Sequence, residues 1–97
     1  MHCAAVEIDL HIPEARSLKA KRAVVKPIVE GLRRRFRVAV AEVDHQDQWQ
    51  RAGIGVAAVA SSPAHVADIL DEVERLVWSN PDVQVLSMER TWLDGET

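Results

Sequence analysis

The chain has 97 residues, of which 47% are hydrophobic and 28% are charged. This composition is typical of one folded domain with its own core and excludes a disordered chain. Cys3 is the single cysteine, so neither an internal disulfide nor a cysteine-based zinc site can form, and we expect a cytoplasmic protein. No apolar run reaches the roughly 18–20 residues of a membrane helix. Glu7 and Asp9 interrupt the region where a signal peptide would need its apolar stretch.

The formal net charge of −3 conceals an uneven distribution of charge. Residues 16–37 contain nine basic residues and one acid, whereas the rest of the chain contains three basic residues and fourteen acids. A clustered positive segment attracts polyanions even when the net charge of a protein is negative. This segment is therefore the feature of the sequence that points most directly to a function.

The first half of the chain predicts a strand followed by a long helix. Apolar and polar residues alternate over residues 2–12, which is the period of a half-buried strand. Pro13 ends this strand, and Ser17 is placed to cap a helix that runs to about residue 35. Pro27 lies inside that helix and lacks the N–H that the helix needs. We therefore expect a kink there, or a helix that breaks and restarts.

The second half predicts two strands, a helix and a last strand. Valine-rich residues 36–43 and residues 49–60 form the two strands, and a polar turn joins them. Gly53 and Gly55 share one face of the third strand, where glycine usually marks a bulge or the close approach of another backbone. The pair Ser62-Pro63 begins the second helix.

The last strand covers residues 82–93, and we expect Leu86, Met88 and Trp92 on its core side. The resulting order, βαββαβ, predicts an α+β fold of the ferredoxin-like type, formed by residues 1–97 as a single domain. Its four-stranded antiparallel sheet has the order 4-1-3-2, and both helices cover one face.

Two blocks of the sequence closely resemble a known family. The first runs from Glu7 to Pro13 and continues through the segment Ser17 to Arg22, and the second is VAEVDHQDQWQRA, from Val40 to Ala52. Together they resemble the YlxP-like family of small bacterial proteins, a domain of unknown function, over nearly the whole chain. The resemblance implies a ferredoxin-like fold and a gene that often lies among translation and ribosome-maturation genes. It implies no established activity and no catalytic residues.

The basic residues of the first helix form the leading candidate for a functional surface. Lys19, Lys26 and Arg33 stand seven residues apart and therefore lie on one side of a helix. Phosphate groups bind lysine and arginine through counterion release, without any reading of bases. We predict contacts with RNA or a ribosomal particle by Lys19, Arg22, Lys26, Arg33, Arg34 and Arg37.

The alternative is that this basic surface is only solvated, or that acids neutralise it. The second helix carries four acids that are candidates for such pairing: Asp68, Asp71, Glu72 and Glu74. Lys21 is a separate case, because it borders the apolar side of the first helix. Either its ammonium reaches solvent beyond a buried stem, or it pairs with an acid such as Glu42 and holds the helix in register.

The outward face of the predicted sheet is the second candidate. The strand order places acids of the first strand beside Arg51 on the third strand and Glu89 on the fourth. Cross-strand ion pairs would explain this face, and so would a homodimer in which a second copy covers it. A small-ligand-binding regulatory dimer would use Glu7, Asp9, His11, Arg51 and Gly53.

Asp44, His45 and Asp47 invite a metal hypothesis, because two carboxylates and an imidazole lie within four residues. Their spacing matches neither a calcium-binding loop nor a pair of histidines on a helix. Hydrogen bonds within the turn are the commoner role of such residues. No serine or cysteine nucleophile lies nearby, so we expect no metal, no cofactor and no catalytic site. The sequence favours a non-catalytic accessory protein.

Overall fold

The structure is a computed structural model that describes residues 1–93. Its elements in chain order are β1 (His2–His11), α1 (Leu18–Phe36), β2 (Ala39–Asp44), β3 (Arg51–Ala60), α2 (Pro63–Trp78) and β4 (Gln84–Trp92). The four strands form one antiparallel sheet of order β2-β3-β1-β4. This order is the predicted one, and the ferredoxin-like fold is confirmed. Neither helix in the described residues is long and apolar enough to cross a membrane.

The core lies between one face of the sheet and the two helices. The sheet supplies one layer of the core through alternate residues of its strands. Ile8 and Leu10 of β1 lie beside Ile54 and Val56 of β3, and all four are fully or nearly fully buried. The helices supply the upper layer through residues spaced three or four apart: Val25, Ile28, Leu32, Val66, Leu70, Val73 and Val77. Burying each such side chain contributes about 1.5–3 kcal/mol relative to leaving it in water.

Both predicted helix starts are confirmed. The hydroxyl oxygen of Ser17 accepts a hydrogen bond from the Ala20 N–H at 3.0 Å, and that of Ser62 accepts one from the His65 N–H at 3.2 Å. Of the two alternatives for Pro27, the break and restart is wrong, because α1 is continuous from Leu18 to Phe36; a kink at Pro27 stays a prediction. Apolar residues before and after the proline pack on the same sheet, and this packing maintains the helix across one missing backbone bond.

The glycines of β3 have the role that their positions predicted. The register of β2 against β3 shifts between Glu42 and Asp44, and Gly53 is the residue opposite the shift. A Cβ atom on Gly53 would lie 2.8 Å from the Cβ of Asp44. The bulge thus requires glycine at this position, and it directs the β2–β3 turn over the open face of the sheet.

Strand β4 departs from the predicted alternation. Its register against β1 shifts so that Leu10 opposes Val85 while Ile8 opposes Met88. Leu86 is the extra residue of this bulge and is 51% exposed, so its predicted core position is wrong. Trp92 opposes the core-facing Ala4, but it ends an edge strand and is 43% exposed. Only Met88 of the three is partly buried against the core.

We predict that Gly53→Ala destabilises the protein by about 1–3 kcal/mol, because the added methyl group overpacks the β2 bulge. Gly31→Ala is the matched control, since a Cβ there meets no atom within 4 Å. In the middle of α1 that exchange stabilises by up to about 1 kcal/mol. Urea denaturation followed by circular dichroism measures both changes. Equal effects of the two exchanges would contradict the tight contact at Gly53.

Candidate nucleic-acid interface

Four cations of α1 lie together on one side of the helix. At about 100° per residue, Lys19, Arg22, Lys26 and Arg33 fall within an arc of about 60°, and all four are exposed. We call them the basic flank. In the part of the chain that the structure describes, Lys19, Arg22 and Lys26 form no hydrogen bond or ion pair. Their charges are thus open to a ligand.

The other two residues predicted for this surface lie elsewhere. Arg34 points about 100° away from Arg33 around the helix. It lines a depression of about 370 Å³ beside Leu76 and Asn80, where the ends of the two helices meet. Arg37 follows the helix in a left-handed conformation with φ of 52°. The structure therefore brings together four of the six predicted residues.

Three of the four acids of α2 are bound by arginines outside α1, and Asp68 makes no ion pair in the described residues. Arg75 pairs with Glu72 on the same helix. Arg90 of β4 donates to Glu74 Oε2 at 2.8 Å and to Asp71 Oδ1 at 2.6 Å. The hydrogen bond that Arg90 donates to Glu74 is the main cause that raises the pKa of Arg90. Over residues 1–93, no ion pair joins α2 to α1, so these acids do not neutralise the basic flank.

A groove runs between the basic flank and the edge strand β2. It has a volume of about 430 Å³ and is lined by Arg22, Val25, Lys26, Val29, Glu30, Arg33, Ala41 and Glu42. Arg33 Nη2 donates a hydrogen bond to the Val40 carbonyl oxygen at 2.6 Å across this groove. This contact was not predicted, because its acceptor is a backbone atom that no residue pattern identifies.

Lys21 connects α1 to β2 and to the β2–β3 turn. Its side chain is only 1% exposed. The ammonium lies 2.8 Å from Glu42 Oε2 and donates to the His45 carbonyl oxygen at 2.6 Å. Of the two alternatives for Lys21, pairing with Glu42 is therefore confirmed, and the alternative that its ammonium reaches solvent is wrong. The same contact holds His45, whose φ of 62° is unusual for a residue other than glycine.

The open face of the sheet has the predicted strand neighbours. Glu7 directly opposes Glu89 on β4 and Gly55 on β3. Arg51 Nη2 donates to Asp9 Oδ2 at 2.6 Å, which confirms the expectation of a cross-strand ion pair. A depression of about 210 Å³ lies here, lined by Glu7, Ile8, Asp9, Asp44, His45, Gly53, Ser87 and Glu89. His11 and Arg51 line a separate depression beside Trp49, and His11 Nδ1 is 2.9 Å from Gln84 Oε1.

The three residues considered for a metal site, Asp44, His45 and Asp47, do not converge on one point. His45 Nε2 lies 3.5 Å from Asp9 Oδ1 and 3.7 Å from Asp44 Oδ2, whereas Asp47 is exposed in the turn. Among the described residues, no three His, Cys, Asp or Glu side chains are arranged to hold a metal ion. Asp44 Oδ1 accepts a hydrogen bond from the His45 N–H at 2.8 Å, which is the predicted local role.

Comparison with known proteins gives a family and a fold. A family model described as "Protein of unknown function (DUF503)" matches residues 3–90. The chain is 36% identical over 86 residues to "Uncharacterized protein YlxP" of Bacillus subtilis (strain 168), covering 89% of this chain and 94% of the relative. A de novo designed protein with a ferredoxin fold superimposes with a TM-score of 0.51 at 14% identity, covering 96% of this chain and 86% of the designed one.

We predict that Lys21→Met destabilises the protein by at least about 2 kcal/mol, because it leaves Glu42 and the His45 carbonyl without their buried cation. The exposed Lys26→Met is the matched control and should change stability by less than about 0.5 kcal/mol. Urea midpoints measure the difference, and amide exchange in residues 42–48 should accelerate in the Lys21 variant alone. Identical urea midpoints would contradict this role of Lys21.

Proposed function

The chain belongs to the DUF503 family of proteins of unknown function, and we propose that it binds RNA, free or within a ribosomal particle, as a non-catalytic accessory protein. The surface that binds is the basic flank of α1. The observation that supports this proposal is that no described acid of α2 neutralises the charges of the basic flank. Four exposed cations lie side by side, and the described acids of α2 are either bound to other arginines or, as with Asp68, unpaired.

The dimensions of the basic flank suit a run of phosphate groups. Lys19 and Arg33 are fourteen residues apart, and at about 1.5 Å per residue the flank extends about 21 Å along the helix axis. If each of the four cations neutralises one phosphate, the affinity for duplex RNA should fall with salt with a log–log slope of about −3.6. Contacts of this kind position a protein on nucleic acid without selecting a sequence.

The open sheet face supports the small-ligand alternative less well. The depression lined by Glu7, Asp9 and Gly53 has about 210 Å³, which is smaller than the roughly 300–1,000 Å³ of most ligand pockets. His11 and Arg51 line a separate depression of about 530 Å³, which is wide open to solvent and encloses a ligand poorly. The opposed carboxylates of Glu7 and Glu89 restrict a ligand there to cationic groups. They would also repel each other across two facing sheets, so we expect a homodimer to form through strand edges. Thermal shift against amine and metabolite panels tests this alternative.

We predict that the double variant Lys26→Glu with Arg33→Glu lowers the affinity for a generic RNA duplex by at least about tenfold. Its salt slope should become flatter by about two, one for each lost phosphate contact. Fluorescence anisotropy at a series of salt concentrations measures both quantities.

The control replaces two exposed arginines outside the basic flank, Arg16→Glu with Arg35→Glu, and makes the same change in net charge. Arg16 precedes the helix and Arg35 lies over the Phe36 ring. If this control loses as much affinity as the first variant, RNA responds only to net charge and the proposed surface is wrong. Unchanged affinity in the first variant would reject the proposed function itself.

A further inference from the structure

Arg33 differs from the other cations of the basic flank because the protein already holds its guanidinium group. β2 is an edge strand, so its outward carbonyl groups have no neighbouring strand to pair with. Arg33 Nη2 donates to one of them, that of Val40, at 2.6 Å. A guanidinium has five N–H donors in a planar fork. One is used here, and four remain for a ligand.

This fixed position reduces the entropy that a free arginine side chain loses on binding. Ordering a long side chain at an interface weakens binding by about two- to tenfold. For Arg33, the contact with Val40 has already restricted the side chain in the free protein. Arginine binds phosphate through two parallel N–H groups, a geometry that lysine cannot reproduce.

The surroundings of Arg33 are suited to an anion. Arg22 and Lys26 line the same groove with apolar Val25, Val29 and Ala41. Of the two carboxylates in the lining, Glu42 is paired with the buried Lys21 at 2.8 Å. Glu30 is exposed and, in the stretch that the structure covers, makes no ion pair. It is therefore the one charge in the lining that opposes an anion.

We propose that the groove between α1 and β2 is a phosphate-binding site, in which Arg33 contacts one phosphodiester of the RNA backbone through two N–H groups. Arg22 and Lys26 contact neighbouring phosphates. This inference rests on the proposed RNA binding. It adds that the phosphate contact of Arg33 depends on the geometry of the guanidinium as well as on its charge. The lining contains no aromatic side chain, so the bases of a single strand would have no ring to stack on. Duplex backbone is the source that this site favours.

The test exchanges arginine for lysine, which keeps the charge and removes the fork. We expect Arg33→Lys to weaken binding of an RNA duplex about five- to tenfold, with an unchanged salt slope because no charge is lost. Arg34→Lys is the matched control, one residue away and equally exposed, and should stay within about twofold of the unaltered protein. Glu30→Gln should strengthen binding by a few-fold, because it removes the opposing charge. Melting temperatures confirm that all variants are folded.

The outcomes separate this inference from the proposed function. Arg33→Lys could bind as tightly as the unaltered protein while the Lys26/Arg33 double glutamate variant loses binding. In that case the basic flank binds RNA, but the proposed contact of Arg33 with phosphate through two N–H groups is wrong. If no charge variant changes affinity, the proposed function fails as well. A single strand of equal length that binds more tightly than the duplex would overturn the duplex assignment. Poly-glutamate of equal charge binding as tightly as RNA would overturn the phosphate site.

Discussion

The geometry of both candidate surfaces depends on the two contacts of the buried Lys21 ammonium. This ammonium lies in the helix layer, yet it binds the Glu42 carboxylate of β2 and the His45 carbonyl of the following turn. Breaking a buried charge pair on one side is strongly destabilising, since the remaining charge keeps its desolvation penalty. The position of α1 against β2, and with it the width of the groove, is therefore fixed by a polar contact as well as by apolar packing.

The same contact reaches the open face of the sheet. The Lys21 ammonium holds the His45 backbone from the helix side of the sheet. The His45 imidazole lies on the open face, where its Nε2 is 3.3 Å from Arg51 Nη2. Arg51 in turn binds Asp9. Lys21 thus orders a polar cluster of the open face through the backbone of one member, His45. A disturbance of α1 at this point would reach Arg51 and Asp9 through the imidazole of His45, because the three side chains are in contact and partly buried.

Most of the fold follows from local patterns, and the exceptions have identifiable causes. Strict alternation in β1 predicts the face on which Glu7 lies, and two serines predict the helix starts, whereas the pairing of Glu7 with Glu89 is known only from the structure. Leu86 is misplaced by the alternation because a one-residue bulge changes the side on which a side chain lies, and no signal in β4 marks it. Pro27 does not break α1, because tertiary packing outweighs a local preference.

The candidate site was predictable in part for similar reasons. Helical spacing identified Lys19, Lys26 and Arg33 as neighbours, because their positions depend on one element alone. It could not show that Arg90 of β4 occupies Asp71 and Glu74, since that depends on how two elements pack. The same limit applies to the hydrogen bond from Arg33 to the Val40 carbonyl. It joins α1 to β2, so it too depends on how two elements pack.

The hydrogen bond from Arg33 to Val40 also bears on how β2 would meet a second copy of the chain. β2 is the sheet edge beside α1, and exposed edge carbonyls are templates for pairing with another chain. Arg33 covers the carbonyl of Val40, and the Gln46 amide donates to that of Glu42 at 3.3 Å. Two long polar side chains therefore shield adjacent outward acceptors of this edge. The guanidinium that faces the groove therefore also opposes the addition of another strand to β2, and a copy that pairs along this edge would have to displace it.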